Sequence, residues 1–159
     1  MADTPSVNGN IPSWADIIIK IDDDRYYGIT EISYEDARER ALVYGMNKSG
    51  GPRGMTSGKY TPSASSMTMD KVAARELKAA LAARSSDGKS FGNTEFQVVV
   101  QYAAEGQPVQ TDTLSRCRIT GNGNSHSEGS DALTESIPFQ PLAIDYDGLT
   151  LYDSSEGEI

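Results

Sequence analysis

In the stretch Thr94–Tyr102, TEFQVVVQY, the residues Phe96, Val98, Val100 and Tyr102 occupy alternate positions, with Glu95, Gln97 and Gln101 between them and Val99 the one apolar exception. Successive strand side chains point to opposite faces of a sheet, so this two-residue period predicts a half-buried β-strand. Thr111–Thr120, TDTLSRCRIT, predicts its antiparallel partner across the turn residues Glu105-Gly106-Gln107-Pro108. Ala15–Ile21 (ADIIIKI), Tyr27–Tyr34 (YGITEISY) and Ala41–Met46 (ALVYGM) are further strand material. Glu35–Glu39 between them also reads as a helical turn. Tyr60–Met69 (YTPSASSMTM) reads as extended, with short polar groups alternating.

Near the C-terminus, Ala132–Tyr146 (ALTESIPFQPLAIDY) predicts a long extended segment. Pro138 and Pro141 exclude a helix there and argue for an edge or a bulge. Asp147-Gly148 closes a last hairpin to Leu149–Tyr152.

One helix stands out, Asp70–Arg84 (DKVAARELKAALAAR). Asp70 caps the free N–H groups of its first turn, and Ala73, Leu77, Ala80 and Leu81 form one apolar stripe, with Glu76 and Lys78 on the wet side. Arg84 suits the negative end of the dipole, and Gly88 offers an exit. The fold class expected is therefore mainly β, a sandwich or barrel with one flanking helix at about residues 70–84. Residues 1–12 read as a flexible arm, 13–153 as a single β domain and 154–159 as an acidic tail.

The chain has 159 residues and a formal net charge of −9. Residues 1–118 hold 15 acids and 14 bases, whereas residues 119–159 hold eight acids and no Lys or Arg, an acidic surface or tail. The single cysteine, Cys117, excludes an internal disulfide and a CxxC zinc site, and its place in a strand predicts a buried, inert thiol. MADTPSVNGN lacks the basic and apolar regions of a signal peptide, and no run approaches a membrane span, so folding in a cytoplasm is expected.

Three catalytic patterns fail on their residues. The phosphate-loop pattern around Gly58-Lys59 has Arg53 where its first glycine belongs and Tyr60 where a hydroxyl should bind magnesium. Around Ser125, the elbow G-x-S-x-G ends on Ser127 instead of glycine, and neighbouring side chains of one turn diverge rather than form a triad. Asp22-Asp23-Asp24 lacks the spacing of a calcium loop and reads as a turn after Ile21. No metal or cofactor is called for. Arg118–Asp131, RITGNGNSHSEGSD, which holds the only histidine, His126, reads as a connector in which Gly121, Gly123 and Gly129 supply positive φ.

The order of parts then carries a resemblance. Gly58-Lys59-Tyr60 leads to Ser66-Met67-Thr68-Met69-Asp70 before the helix. Arg116-Cys117-Arg118-Ile119 is followed by Gly129-Ser130-Asp131-Ala132-Leu133, and Ile144-Asp145-Tyr146-Asp147-Gly148-Leu149 closes the chain. Over roughly residues 14–152 this ordering resembles bacteriophage tail tube proteins, with the hexameric tube protein of type VI secretion systems as a relative in fold. The resemblance implies a structural, non-enzymatic virion protein. Hexameric rings would stack into the tail tube, assembled in the bacterial host cytoplasm, through which the genome leaves. It implies tail sheath, baseplate, tape-measure and tail terminator proteins as partners, DNA as a transient non-specific passenger, no membrane and no cofactor.

Sheet edges left open in one subunit fit such an assembly, because identical neighbours can pair them. Within that picture, Thr61, Ser63, Ser65, Glu95, Gln97 and Gln101 are expected to face the lumen. The Gly-rich segment Lys48–Lys59, with Lys48, Gly51, Arg53, Met55 and Lys59, reads as a long mobile loop that reaches the next ring and orders only there. Lys71, Arg75, Glu76 and Lys78 are expected on the outer surface, where a sheath would grip. A tube for a contractile injection or type VI secretion system is the alternative; a small hydrolase or ligand-binding β-barrel is the rival from another class.

Overall fold

The computed structural model describes residues 14–46, 48–102, 108–124 and 126–152. The expected N-terminal arm 1–12, the acidic tail 154–159 and most of the loop Glu105–Pro108 lie outside those residues. After a short 3-10 turn at Trp14–Asp16 come β1 (Ile17–Ile21), β2 (Asp24–Arg25), β3 (Ile29–Ser33), β4 (Asp36–Glu39), β5 (Leu42–Val43), β6 (Gly54–Met55), β7 (Lys59–Pro62) and β8 (Ser65–Asp70). Helix α1 (Lys71–Ala83) follows without a break, then β9 (Phe96–Tyr102), β10 (Gln110–Ile119), β11 (Gly123–Asn124), β12 (Thr134–Gln140) and β13 (Ala143–Tyr146). The class is mainly β with a single helix, as the periodicities require.

Nine of the strands form one antiparallel sheet in the order β2-β1-β9-β10-β12-β8-β3, with β13 beside β10 and β11 beside β12. The sheet doubles back at β10. Its first half pairs with β9 and β13, its end at Arg118 and Ile119 pairs with β12, and the β9 register shifts between Leu114 and Cys117. Arg116 sits in this bulge at φ 53. An extra residue sharpens local twist, so the two halves turn face to face.

Between them lies the core. Ile19, Ile21, Val98, Val100 and Leu114 come from one half, Met67, Met69, Ile137 and Phe139 from the other. The Phe96 and Phe139 rings meet across the gap at 5.9 Å. Alternation in β9 follows the sequence closely: Phe96, Val98 and Val100 are buried and Gln97 is exposed.

Helix α1 caps the open side. The Asp70 carboxylate accepts from the Ala73 N–H at 2.8 Å, and Ala73, Ala74, Leu77 and Leu81 are buried. Ala80, expected in the stripe, is exposed, and Ala74 takes its place. Gly28 is needed at this end, because a Cβ there would collide with the Asp70 carboxylate and the Ala73 methyl.

Three other expectations change. Glu35–Glu39 is not helical: Asp36–Glu39 is a strand paired with β7. Lys48–Lys59 is not an unpaired loop. Gly54 and Met55 pair with Val43 and Leu42, and Lys59 with Glu39, so residues 36–43 and 54–62 form a two-stranded ribbon that prolongs the β3–β8 pair as an arm. Ala132–Tyr146 is two strands, with the break at Pro141-Leu142 carrying the chain from β8 across to β10.

Cys117 is buried, its Sγ 3.5 Å from the Leu114 carbonyl, and burial pushes the thiol up to about 12. With so little thiolate at neutral pH, Cys117 is expected to resist an aromatic disulfide reagent at pH 8 in the folded protein and react on denaturation. Rapid labelling of the native chain would contradict the packing.

Candidate assembly interface

The first candidate surface is the outward face of the sheet half β1-β9-β10-β13. Register places Ile18 beside Gln101, Lys20 beside Val99, Gln101 beside Thr111, and Thr113 between Val99 and Asp145. These residues are half-buried, and the face mixes polar Gln101, Thr111 and Thr113, one lysine and one aspartate with the apolar Ile18 and Val99. Gln97 and Gln101 lie on it. Glu95 stands at its border, where its carboxylate receives Arg116 and Arg118, at 3.3 and 2.9 Å. Those guanidinium groups, Arg116 foremost, hold Glu95 below the usual carboxylate range.

The other three expected lumen residues lie elsewhere. Thr61 is exposed on β7 in the arm, and Ser63 sits at the arm's base, its N–H bonded to the Glu35 carbonyl. Ser65 is 3% exposed and shares the inward face of β8 with Met67 and Met69. The chain breaks strand geometry at Ser63 and Ala64, so the polar alternation of Tyr60–Ser66 does not carry through, and Ser65 is removed from any wall.

The arm is the second surface. Leu42, Val43, Tyr44, Met46 and Met55 are exposed along it, Met46 completely. Lys48, Gly51, Arg53, Met55 and Lys59 all belong to this arm. Residues 40–59 contain Arg40, Lys48, Arg53 and Lys59 and no acid, a formal +4; against −9 for the whole chain, the rest carries −13. None of these four cations forms an ion pair among the described residues. An unpartnered apolar ribbon with a basic skin on an acidic body is unusual for a solitary domain and points to association.

Two strand edges complete the set. Among the described residues β3 pairs only with β8, and β2 only with β1. The outer edge of β13 is covered instead: the Ile144 N–H donates to the Tyr60 hydroxyl at 3.2 Å.

The helix surface divides. Arg75 and Glu76 are exposed with Val72, whereas Lys71 and Lys78 reach down to Glu135 on β12, at 2.9 and 2.5 Å. Lys71 also binds Asn124 and Lys78 binds Asn122, so the connector is stitched to the helix by its asparagines. Lys78 is thus not on the wet side, and neither lysine is free to grip a partner. Gly121, Gly123 and Gly129 do not adopt positive φ; Gly123 extends into β11, and Gly121 leaves room for Pro138. His126 is exposed beside a groove of about 700 Å³ with Val72, Arg75 and Leu133.

Asp22 and Asp23 occupy a two-residue turn between β1 and β2 at φ 51 and 70. Asp22 accepts from the Gln97 N–H and from Arg84, which offsets the strained backbone. Among the described residues no cluster of His, Cys, Asp and Glu is arranged to hold a metal ion.

With this geometry in view, comparison with solved structures places the fold. The sheath/tube terminator of the extracellular contractile injection system PVC superposes with a TM-score of 0.65 at 10% identity, over 87% of this chain and 97% of that one. The tube-terminating cap of the anti-feeding prophage gives 0.58 at 14% identity, over 89% and 93%. Hcp1 from Flavobacterium johnsoniae gives 0.53 at 11%, over 86% and 98%. No family model matches the chain, and no curated protein matches it in sequence. The fold is that of tube proteins from contractile injection and type VI secretion systems.

Burial raises the Glu135 carboxyl, but Lys78 and Lys71 outweigh it and hold the group below its usual value. A depressed carboxylate stabilises the fold above its unfolded pKa, about 4.3, and loses that contribution as pH falls through the lower folded value. Glu135→Gln is therefore expected to cost about 1–2 kcal/mol at pH 7, because two half-buried ammonium groups lose their acceptor. In urea titrations the gap from wild type should close below pH 4; a gap independent of pH would refute the clasp.

Proposed function

We propose that this chain is the self-assembling subunit of a hollow tube and not an enzyme. The observation that carries the reading is the pair of edge strands, β2 and β3, each paired on one side only among the described residues. Joining copies edge to edge around a rotation axis continues the sheet and removes both edges. Six copies per ring is the number that the sequence resemblance implies. The outward sheet face, with Gln97 and Gln101, then becomes the lumen wall, and Glu95 its rim.

Stacking is assigned to the arm. Its exposed apolar residues and its four cations, unpaired among the described residues, suit the acidic surface of a copy in the next ring, since opposite charges guide approach and apolar area supplies affinity. A heterologous contact of this kind need not close, and repeats along the axis as a filament. The exposed helix face with Val72, Arg75 and Glu76 remains outside, where a sheath would sit.

The tube proteins that share the fold come from contractile injection and secretion systems, which supports a tube of that general type. A phage tail tube, assembled in the host cytoplasm and conducting DNA, is the second reading. What supports it is that Lys20 is the one cation on the face from β1 to β13 and that Arg116 and Arg118 at its border are paired with Glu95, because unpaired cations bind a duplex by releasing counterions and a wall with few of them lets it slide.

Negative-stain electron microscopy of the purified chain tests the tube. Six-fold rings or hollow tubes are expected at micromolar concentration; a monodisperse monomer at millimolar concentration would overturn the assignment.

A further inference from the structure

An arm that docks on another copy must leave the barrel at a fixed angle, and only contacts at its base can set one: besides the groups below, the Gln140 amide donates to the Pro62 carbonyl at 2.7 Å and the Tyr60 ring lies 4.6 Å from that of Tyr152. It is also jointed. Ser33 pairs with Ser66, but Asp36 pairs with Pro62, so two residues on one strand face three on the other at the point where arm meets barrel. A two-stranded ribbon with such a bulge pivots unless its base is tied.

The base is tied by phenols and carboxylates. At the joint, the Tyr34 hydroxyl donates to Asp112 on β10 through a short bond. The Tyr102 hydroxyl of β9 lies 2.7 Å from that of Tyr34 and 3.2 Å from the same carboxylate oxygen. Asp112 is only 8% exposed and has no cation beside it among the described residues. A buried carboxylate satisfied by phenols alone is costly to keep and weakly explained by stability. One step along the arm, Asp36 accepts from Tyr60 at 2.8 Å and from Tyr146 at 3.4 Å. Tyr60 in turn accepts from the Ile144 N–H of β13.

Both strands of the arm are thus held to the barrel by two carboxylates, each with two tyrosines. We infer that Tyr34 and Asp112 are positioning residues that lock the arm at the angle its docking requires. Burial, with the carboxylate beside it, pushes the Tyr34 phenol far above its ordinary value, so it remains a donor at physiological pH.

The lock rests on the tube reading only for its purpose; the angle can be measured in one chain. Spin labels at Met46→Cys on the arm and Ala80→Cys on the helix, both exposed, report the arm–barrel distance while Cys117 stays buried. In the otherwise native protein the distance distribution is expected to be narrow. Tyr34→Phe, which removes one oxygen, and Asp112→Asn are each expected to broaden it about twofold or more, with an unchanged circular dichroism spectrum and loss of stacking. If Asp112→Asn fails to fold, Tyr34→Phe decides alone. A narrow distribution in Tyr34→Phe, or loss of the barrel fold in that variant, overturns the lock. Failure of the native protein to form tubes would remove the tube reading and leave the distance measurement standing.

Discussion

A strand's backbone groups must be paired or wet, and among the described residues β3 is paired on one side only. The chain has ways to cover such an edge and uses them elsewhere. It lays the arm's base over β13 through Tyr60, and it turns β1 back on β2 over two residues, Lys20 and Ile21. At β3 it does neither, although Ile29 and Ile32 belong to or pack on the core and make this strand part of the hydrophobic body. The same sequence that closes one edge leaves another ready for a neighbour, and the assembly reading depends on that asymmetry.

How the sheet comes to have these ends follows from β10. Its bulge places Arg116 in left-handed backbone, roughly 1–2 kcal/mol above the usual conformation for a residue with a Cβ. The Glu95 pair holds the side chain there, and the turn it produces brings Phe96 to Phe139. Helix α1, clasped by Glu135 and capped by Asp70, fills the remaining side. Among the described residues three surfaces are then left for association: a largely polar sheet face, the edge strands and a basic arm. They are the three that a ring, its lumen and a stack would need.

What the sequence makes legible is whatever one face of one element decides. Phe96, Val98 and Val100 announce β9 because one side of it is buried, and Asp70 announces the start of α1 because capping acts over three residues. The arm was hidden for the opposite reason. Leu42, Val43 and Met55 face water in the outer part of the ribbon, which is exposed on both faces, so no period distinguishes it from a loop. Ser65 was misplaced because strand phase resets at Ser63 and Ala64. Lys71 and Lys78 lie 64 and 57 residues from Glu135 in sequence. The partners of the tyrosine clamp, Tyr34 and Asp112, are 78 residues apart. Pairings of that range leave no local trace. Only the cluster of tyrosines about the two aspartates, had the strands been docked, would have given it away.

Hydrogen exchange on Ile29–Ser33 addresses the unpaired edge directly, in the free subunit and in whatever assembly it forms. Amides of β3 that point away from β8 are expected to exchange almost as fast as in an open chain when the subunit is alone, and to slow by a hundredfold or more, an order-of-magnitude figure for an edge that has gained a paired strand, once copies associate. Slow exchange along the whole of β3 in the isolated subunit would mean that the edge is already satisfied, and would contradict the account.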